Sequence, residues 1–175
     1  MVKKVNQQRW HNLAQKLELG ALVVVPSASE VLRNQDVCYP FRQLSDFWYW
    51  THFPETDAIW VGLKDHEGLE TILFCRPQDQ KDAIWHGERI GLEQAKVDFG
   101  FDHVLPLQDF PHALSPWLEN ASCLYTMRSS QTTTPVYTQA LNTWVAQTRL
   151  ETKSFEPVSH RLRLLKDEQE LTWMR

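Results

Sequence analysis

The side chains able to do chemistry do not fall into the spacings that most catalytic chemistries need. The seven histidines are His11, His52, His66, His86, His103, His112 and His160. No two lie four residues apart, so no helix offers the imidazole pair of an H-E-x-x-H zinc site. No G-x-S-x-G marks a strained nucleophile elbow. Neither a phosphate-cradling G-x-x-x-x-G-K-[ST] nor a G-x-G-x-x-G occurs. Cys38, Cys75 and Cys123 are widely spaced and form no C-x-x-C, which leaves out a zinc ribbon and a redox pair. Asp79 and Asp82 fall in a polar stretch that reads as a solvated loop rather than a carboxylate dyad. His86 has no sequence neighbour with which to form a catalytic pair.

What stands out instead is aromatic: eight Trp, eight Phe and four Tyr. Asp46-Phe47-Trp48-Tyr49-Trp50-Thr51-His52 is dense in strand formers and reads as a strand. Alternation would put Phe47, Tyr49 and Thr51 on one face and Trp48, Trp50 and His52 on the other. Such a strand is either buried on both sides or offers one face as a platform to a peptide or sugar. Trp85 lies among Asp82, His86, Glu88 and Arg89 in a polar, loop-like stretch. A large aromatic there is either an anchor in a pocket or interface, or a ring folded back on its own core.

These residues must be carried by one domain's worth of chain, 175 residues. Hydrophobic residues make up 42 % and charged residues 23 %, ordinary globular values that exclude bulk disorder. With 18 Lys+Arg against 22 Asp+Glu the net charge is −4, a poor match to a nucleic-acid backbone. No apolar run approaches the ~20 residues of a membrane span, and Met1–Asn6 leads into no signal-peptide core. Free thiols on apolar segments suit a reducing cytoplasm, with each Cys a small buried hydrophobe.

Along the chain, Val5, Trp10, Leu13, Ala14 and Leu17 have helical spacing, stopped at Gly20. Ala21–Pro26 is a continuous apolar run, as in a strand buried on both faces. Ser27-x-x-Glu30 matches a capping box and predicts a short helical turn. Residues 57–63 and 70–76 are strand candidates joined by a hairpin loop in which Gly68 offers a positive φ. A helix at 92–99 ends at Gly100, and short strands follow at 103–105 and 123–125. Between them, Pro111 and Pro116 argue against a single helix over 108–119. Thr134-Pro135 opens the strongest helix, with Tyr137, Ala140, Leu141 and Trp144 on its stripe. The order of elements predicts an α/β domain with a mixed sheet. Asp167-x-x-Glu170 caps a final helix with Leu171 and Met174 on its stripe. That helix is either a short piece docked on this domain or the start of something longer.

Three stretches resemble the N-terminal domain of aminopeptidase P (Xaa-Pro aminopeptidase), of the creatinase/prolidase type. Tyr39-Pro40-Phe41-Arg42-Gln43-Leu44-Ser45-Asp46-Phe47-Trp48-Tyr49 is similar to Y-P-[FY]-R-Q-x-S-D-F-x-Y. Trp85-His86-Gly87-Glu88-Arg89-Ile90-Gly91 resembles W-x-G-x-R-x-G. His160 to Lys166 with Glu170 resembles H-E-x-R-x-x-K-[ST]-x-x-E. His52, where that family usually has Gly, is a departure, as are Arg161 and Asp167.

The resemblance implies a mixed six-stranded sheet flanked by helices over residues 1–157. Residues 158–175 would then be a linker and the start of the first helix of a separate catalytic domain, poorly anchored here. It also implies a parent metallopeptidase, releasing the N-terminal residue before proline with two divalent metal ions, expected to be manganese. These would sit in a C-terminal pita-bread domain, with no catalytic or metal-binding residue in this chain. The expected partners are that domain, an X-Pro peptide substrate and further copies in a cytoplasmic homo-oligomer, with neither nucleic acid nor membrane. The domain would make oligomer contacts and wall the active-site cleft. Trp85 would serve a substrate pocket or a subunit interface. Tyr39, Pro40, Arg42, Asp46, Phe47, Tyr49, Gly87, Arg89 and Gly91 would be structural, with Tyr39 and Phe47 in the core and Arg42 paired with Asp46. The competing expectation is a free-standing peptide- or sugar-binding module built on the aromatic run 46–52.

Overall fold

The structure is a computed structural model that describes residues 2–79, 81, 83–84, 87–128, 133–147 and 150–174. Helix α1 (Val2–Ala14) is followed by strand β1 (Ala21–Pro26), whose six residues are all buried. A small hairpin follows, β2 (Leu32–Asn34) and β3 (Val37–Cys38), and then α2 (Ser45–Thr51). Strands β4 (Ile59–Lys64) and β5 (Leu69–Cys75) form an antiparallel hairpin. Helix α3 (Leu92–Phe99) leads into β6 (His103–Pro106). A 3-10 turn and two short helices, α4 (Phe110–Ala113) and α5 (Ser115–Asn120), precede β7 (Cys123–Thr126). Helix α6 (Pro135–Gln147), β8 (Glu151–Ser154), α7 (Glu156–Leu164) and α8 (Glu168–Trp173) complete the order.

The main sheet has six strands in the order β6-β5-β4-β1-β7-β8. β4 pairs antiparallel with both β1 and β5, and the remaining neighbours are parallel. The expected mixed six-stranded sheet is therefore present. β1 lies inside it, which explains its unbroken apolar run. Ala21, Val23 and Val25 face one core, with α1, α2 and α3, while Leu22 and Val24 face the other, with α4, α5 and α6. In the first core three indoles run in file. Trp60 stacks on Trp50 at 5.8 Å and on Trp10 at 6.3 Å between ring centroids.

Several expectations are corrected. The aromatic run is not a strand: α2 buries Phe47, Trp50 and Thr51, the i, i+3, i+4 set of a helix face. The sixth strand is instead β8, a polar edge strand. Ser27 caps no helical turn; its buried hydroxyl donates to Ala28 O and accepts from Ala58 N at 2.7 Å, closing the β1/β4 end. The β4–β5 turn does not use Gly68 in a left-handed conformation. Asp65 Oδ1 closes it, accepting from the amides of Glu67 and Gly68. Cys75 and Cys123 are buried as expected, but Cys38 is exposed on the small hairpin.

Candidate functional site

Helices α1, α2 and α8 and the end of α7 surround a cavity of about 500 Å³. Arg9, Trp48, Tyr49, His52 and Trp173 are among the side chains that line it. Arg9 belongs to the buried stripe of α1, beside Asn6, Trp10 and Leu13. It is only 4 % exposed, so its charge must be met locally. Its guanidinium lies 3.9 Å over the Tyr49 ring, and Nη1 donates to Tyr49 O at 2.5 Å. Nη2 faces Asp167 and Glu170, each at 3.5 Å. Those two carboxylates also form the capping box of α8, as their spacing predicts. Arg9 thus ties α1 and α2 to the first turn of α8. The sequence signal for it was a cation on an otherwise buried helix stripe.

His52 closes α2 with φ 52°, in the left-handed region that a residue with a Cβ seldom occupies. Its ring is tied on both sides. Asn6 Nδ2 donates to the carbonyls of Thr51 and Phe99, so Asn6 Oδ1 is the acceptor for His52 Nδ1 at 2.6 Å. The Nδ1–H tautomer follows, and it leaves the Nε2 lone pair facing Arg9 Nη1 at 3.4 Å. Burial, then the Arg9 charge, push its pKa down to about 4, so the ring is neutral at pH 7. Trp48 and Trp173 each meet the imidazole edge-on at 5.4 Å. Two indoles therefore contact a neutral imidazole. The expected strand platform does not exist, but two of its aromatics, Trp48 and Tyr49, line this cavity from a helix.

The residues expected to be structural divide. Phe47 is in the core. Tyr39 is not: it is 53 % exposed, beside Pro40 and an exposed Phe41. Arg42 is exposed and does not pair with Asp46. The partner of Asp46 is Arg163 at 2.7 Å, and Asp46 Oδ1 also accepts from Ser159 Oγ at 2.9 Å. Ser159 in turn accepts from Trp50 Nε1 at 3.1 Å, linking α7 to the indole file.

Trp85, with Asp82 and His86, lies outside the described residues. The stretch that carries it is held at its base. Gln78 Nε2 donates to Arg89 O, Ile90 N donates to Glu55 Oε1 at 2.6 Å, and Arg76 pairs with Asp57 at 2.6 Å. Gly87 and Gly91 both have φ near +80°, and a Cβ on Gly91 would sit 3.0 Å from the Gln78 side chain. That explains two glycines of the second motif by backbone geometry. Asp79 supplies a local turn, accepting from Lys81 N at 2.8 Å.

No three His, Cys, Asp or Glu side chains among the described residues come together as metal ligands. No helix among them is long and apolar enough to cross a membrane.

The family described as aminopeptidase P, N-terminal domain, matches residues 6–125. The chain belongs to that family. It is 29 % identical over 180 aligned residues to a Xaa-Pro aminopeptidase of Escherichia coli, covering 97 % of this chain and 40 % of the relative. A Xaa-Pro aminopeptidase of Haemophilus influenzae is likewise 29 % identical, over 98 % of this chain and 39 % of its own length. Among solved structures, a variant of Escherichia coli aminopeptidase P superposes with a TM-score of 0.89 at 27 % identity, over 98 % of this chain and 41 % of that one. A zinc-substituted form of the same enzyme in complex with product gives 0.87 at 28 %, with the same coverage. This aminopeptidase P-type domain thus spans about two fifths of the length of the curated relatives it matches.

Proposed function

We propose that this domain is the non-catalytic N-terminal part of a Xaa-Pro aminopeptidase, and that it holds and orients a catalytic part beginning within residues 158–175. The observation that carries this reading is the surface of α7 and α8. Their polar side chains are fixed to this domain through Asp46–Arg163 and Arg9–Asp167/Glu170. The apolar side chains Leu164, Leu165, Leu171 and Met174 of this segment are exposed, and Trp173 is half-exposed against His52. Exposed apolar residues grouped beside fixed polar contacts mark a covered surface. Relatives that continue for a further three fifths of their length supply a cover.

The cover would carry two divalent metal ions, manganese in our reading, that generate a hydroxide and polarise the scissile carbonyl of an X-Pro peptide. The domain would wall the cleft and contribute to a cytoplasmic homo-oligomer, with Trp85 carried on its clamped stretch towards a substrate pocket or neighbouring subunit. Replacing the matching two fifths of the Escherichia coli relative by residues 1–175 tests this. The chimera should hydrolyse X-Pro peptides with added Mn²⁺, while residues 1–175 alone should not. Turnover by this chain alone, or a folded, metal-loaded chimera without activity, would overturn the reading.

A further inference from the structure

We propose that Trp50 is a site of reversible one-electron oxidation, reached from the surface along the file Trp10–Trp60–Trp50 and coupled to proton transfer to Asp46 through Ser159. Indoles are among the most easily oxidised side chains, and stacked rings in contact pass an electron readily. Trp60 lies nearly parallel to Trp50, 2° from it with centroids 5.8 Å apart, and 15° from Trp10 at 6.3 Å. Trp10 is the outer end of the file. It lines a groove between α1 and the β4–β5 turn, with Gln7, His11 and Gly68. A one-electron oxidant in that groove takes its electron from Trp10, and the positive hole moves inward.

The three indole N–H groups decide where the hole stops. An indole cation radical is a strong acid and is stabilised where its proton can leave. Trp10 Nε1 donates to Trp50 O at 2.9 Å, a backbone carbonyl that cannot keep a proton. Trp60 Nε1 is buried without a hydrogen-bond partner among the described residues, so a positive charge there is neither neutralised nor solvated. Buried unpaired donors are rare enough to need a reason, and an indole that only passes a charge on supplies one. Trp50 Nε1 donates to Ser159 Oγ at 3.1 Å, and Ser159 Oγ donates to Asp46 Oδ1 at 2.9 Å. The Trp50 N–H bond breaks, Ser159 takes that proton and gives its own to Asp46. The products are a neutral indolyl radical and a carboxylic acid, so no charge stays in the core. One electron from a thiol or ascorbate-type reductant, with return of the proton from Asp46, restores both groups. The neighbouring tyrosines are poorer sinks. The guanidinium groups of Arg9 and Arg163 lie 3.9 and 5.6 Å from the centre of the Tyr49 ring and repel a hole there. Tyr125 lies beyond Phe155, whose ring is hard to oxidise.

A ruthenium tris-bipyridine sensitiser tethered at Gln7→Cys of the 175-residue chain, in a Cys38→Ser background, tests this. Cys75 and Cys123 are buried, which directs the label to position 7. Flash oxidation with persulfate as electron acceptor should give a long-lived neutral indolyl radical, seen by transient absorption and electron paramagnetic resonance. Trp50→Phe should remove that signal, and Trp60→Phe should lose most of its yield. Ser159→Ala and Asp46→Asn should each shorten its lifetime by about tenfold or more, the equivalent of one lost hydrogen bond to a charged group. Ser159→Ala leaves the Asp46–Arg163 pair in place and so breaks the relay alone. A radical undiminished in Trp50→Phe, a tyrosyl radical as the final product, or an unchanged lifetime in Ser159→Ala would overturn the proposal. The measurement uses neither peptide nor divalent metal, so its failure would leave the proposed function standing.

Discussion

Asp46 Oδ1, in the first turn of α2, accepts from Arg163 Nη1 of α7 at 2.7 Å across 117 residues of chain. The same oxygen accepts from Ser159 Oγ, which accepts from the Trp50 indole. One carboxylate thus joins the core to a helix that would otherwise rest on few apolar contacts. Both charged side chains are partly exposed, so the ion pair itself contributes little. The hydrogen bonds to the charged group carry more. Asp46→Ala should cost about 1–2 kcal/mol. Urea unfolding of Asp46→Ala, Arg163→Ala and the double variant checks it, and strict additivity would show that the pair is uncoupled.

Ser27 gives a second expected loss and shows where local pattern fails. Ser27-x-x-Glu30 and Asp167-x-x-Glu170 read alike as capping boxes, yet only the second is one. Ser27 is fully buried at the end of β1, and its hydroxyl also lies 3.0 Å from Thr134 Oγ1 at the start of α6. Ser27→Ala leaves Ala58 N–H without its acceptor and should cost about 1–3 kcal/mol. Thermal denaturation measures it, and an unchanged midpoint would mean that the hydroxyl is dispensable.

Much of the sheet was legible for a physical reason. β1, β4, β5 and β7 are largely buried, so most of their residues are apolar and about half are β-branched or aromatic, and periodicity reports them. α2 was misread because five consecutive strand formers, Phe47 to Thr51, carry no polar alternation. Helical and extended readings then bury equally many rings, and tertiary packing of Phe47 and Trp50 decides. β8, Glu-Thr-Lys-Ser, is an exposed edge strand with no apolar signal. In the site, Asp167 and Glu170 announced themselves by spacing. Arg9, Asn6 and His52 did not, because they meet only when α1 packs on α2.

His52 predicts a pH dependence with a definite sign. Its pKa falls from 6.5 to about 4 on folding, so the unfolded chain binds the proton more readily. Its contribution to stability is complete above pH 6.5 and is lost as pH falls towards 4. Between pH 7.5 and pH 5 the wild type should lose on the order of 1–2 kcal/mol more than His52→Gly, which fits the left-handed backbone and has no imidazole. Urea midpoints at the two pH values decide it. Parallel slopes in the two proteins would mean that the buried ring does not titrate as its contacts with Asn6 and Arg9 require.

Arg9 sets the last expectation. A helix as short as α8 is not stable alone in water, so what holds it must come from outside. Its apolar residues Leu171 and Met174 are exposed, which leaves the Arg9 fork and the Trp173–His52 contact. Lysine at position 9 keeps the charge but cannot serve Tyr49 O and two carboxylates from one planar group. Arg9→Lys should therefore destabilise the domain by about 1–3 kcal/mol, as expected for a broken buried network. It should act unevenly. Amide exchange over Glu168–Trp173 should accelerate well beyond any change in β1, because α8 loses its tie while the sheet keeps its core. Arg9→Gln, which removes the charge, should have the same pattern and a larger effect. If exchange in α8 is unchanged in Arg9→Lys while global stability falls, Arg9 serves only the α1–α2 packing, and α8 is held by the Trp173–His52 contact and the Arg163 tie of the preceding helix.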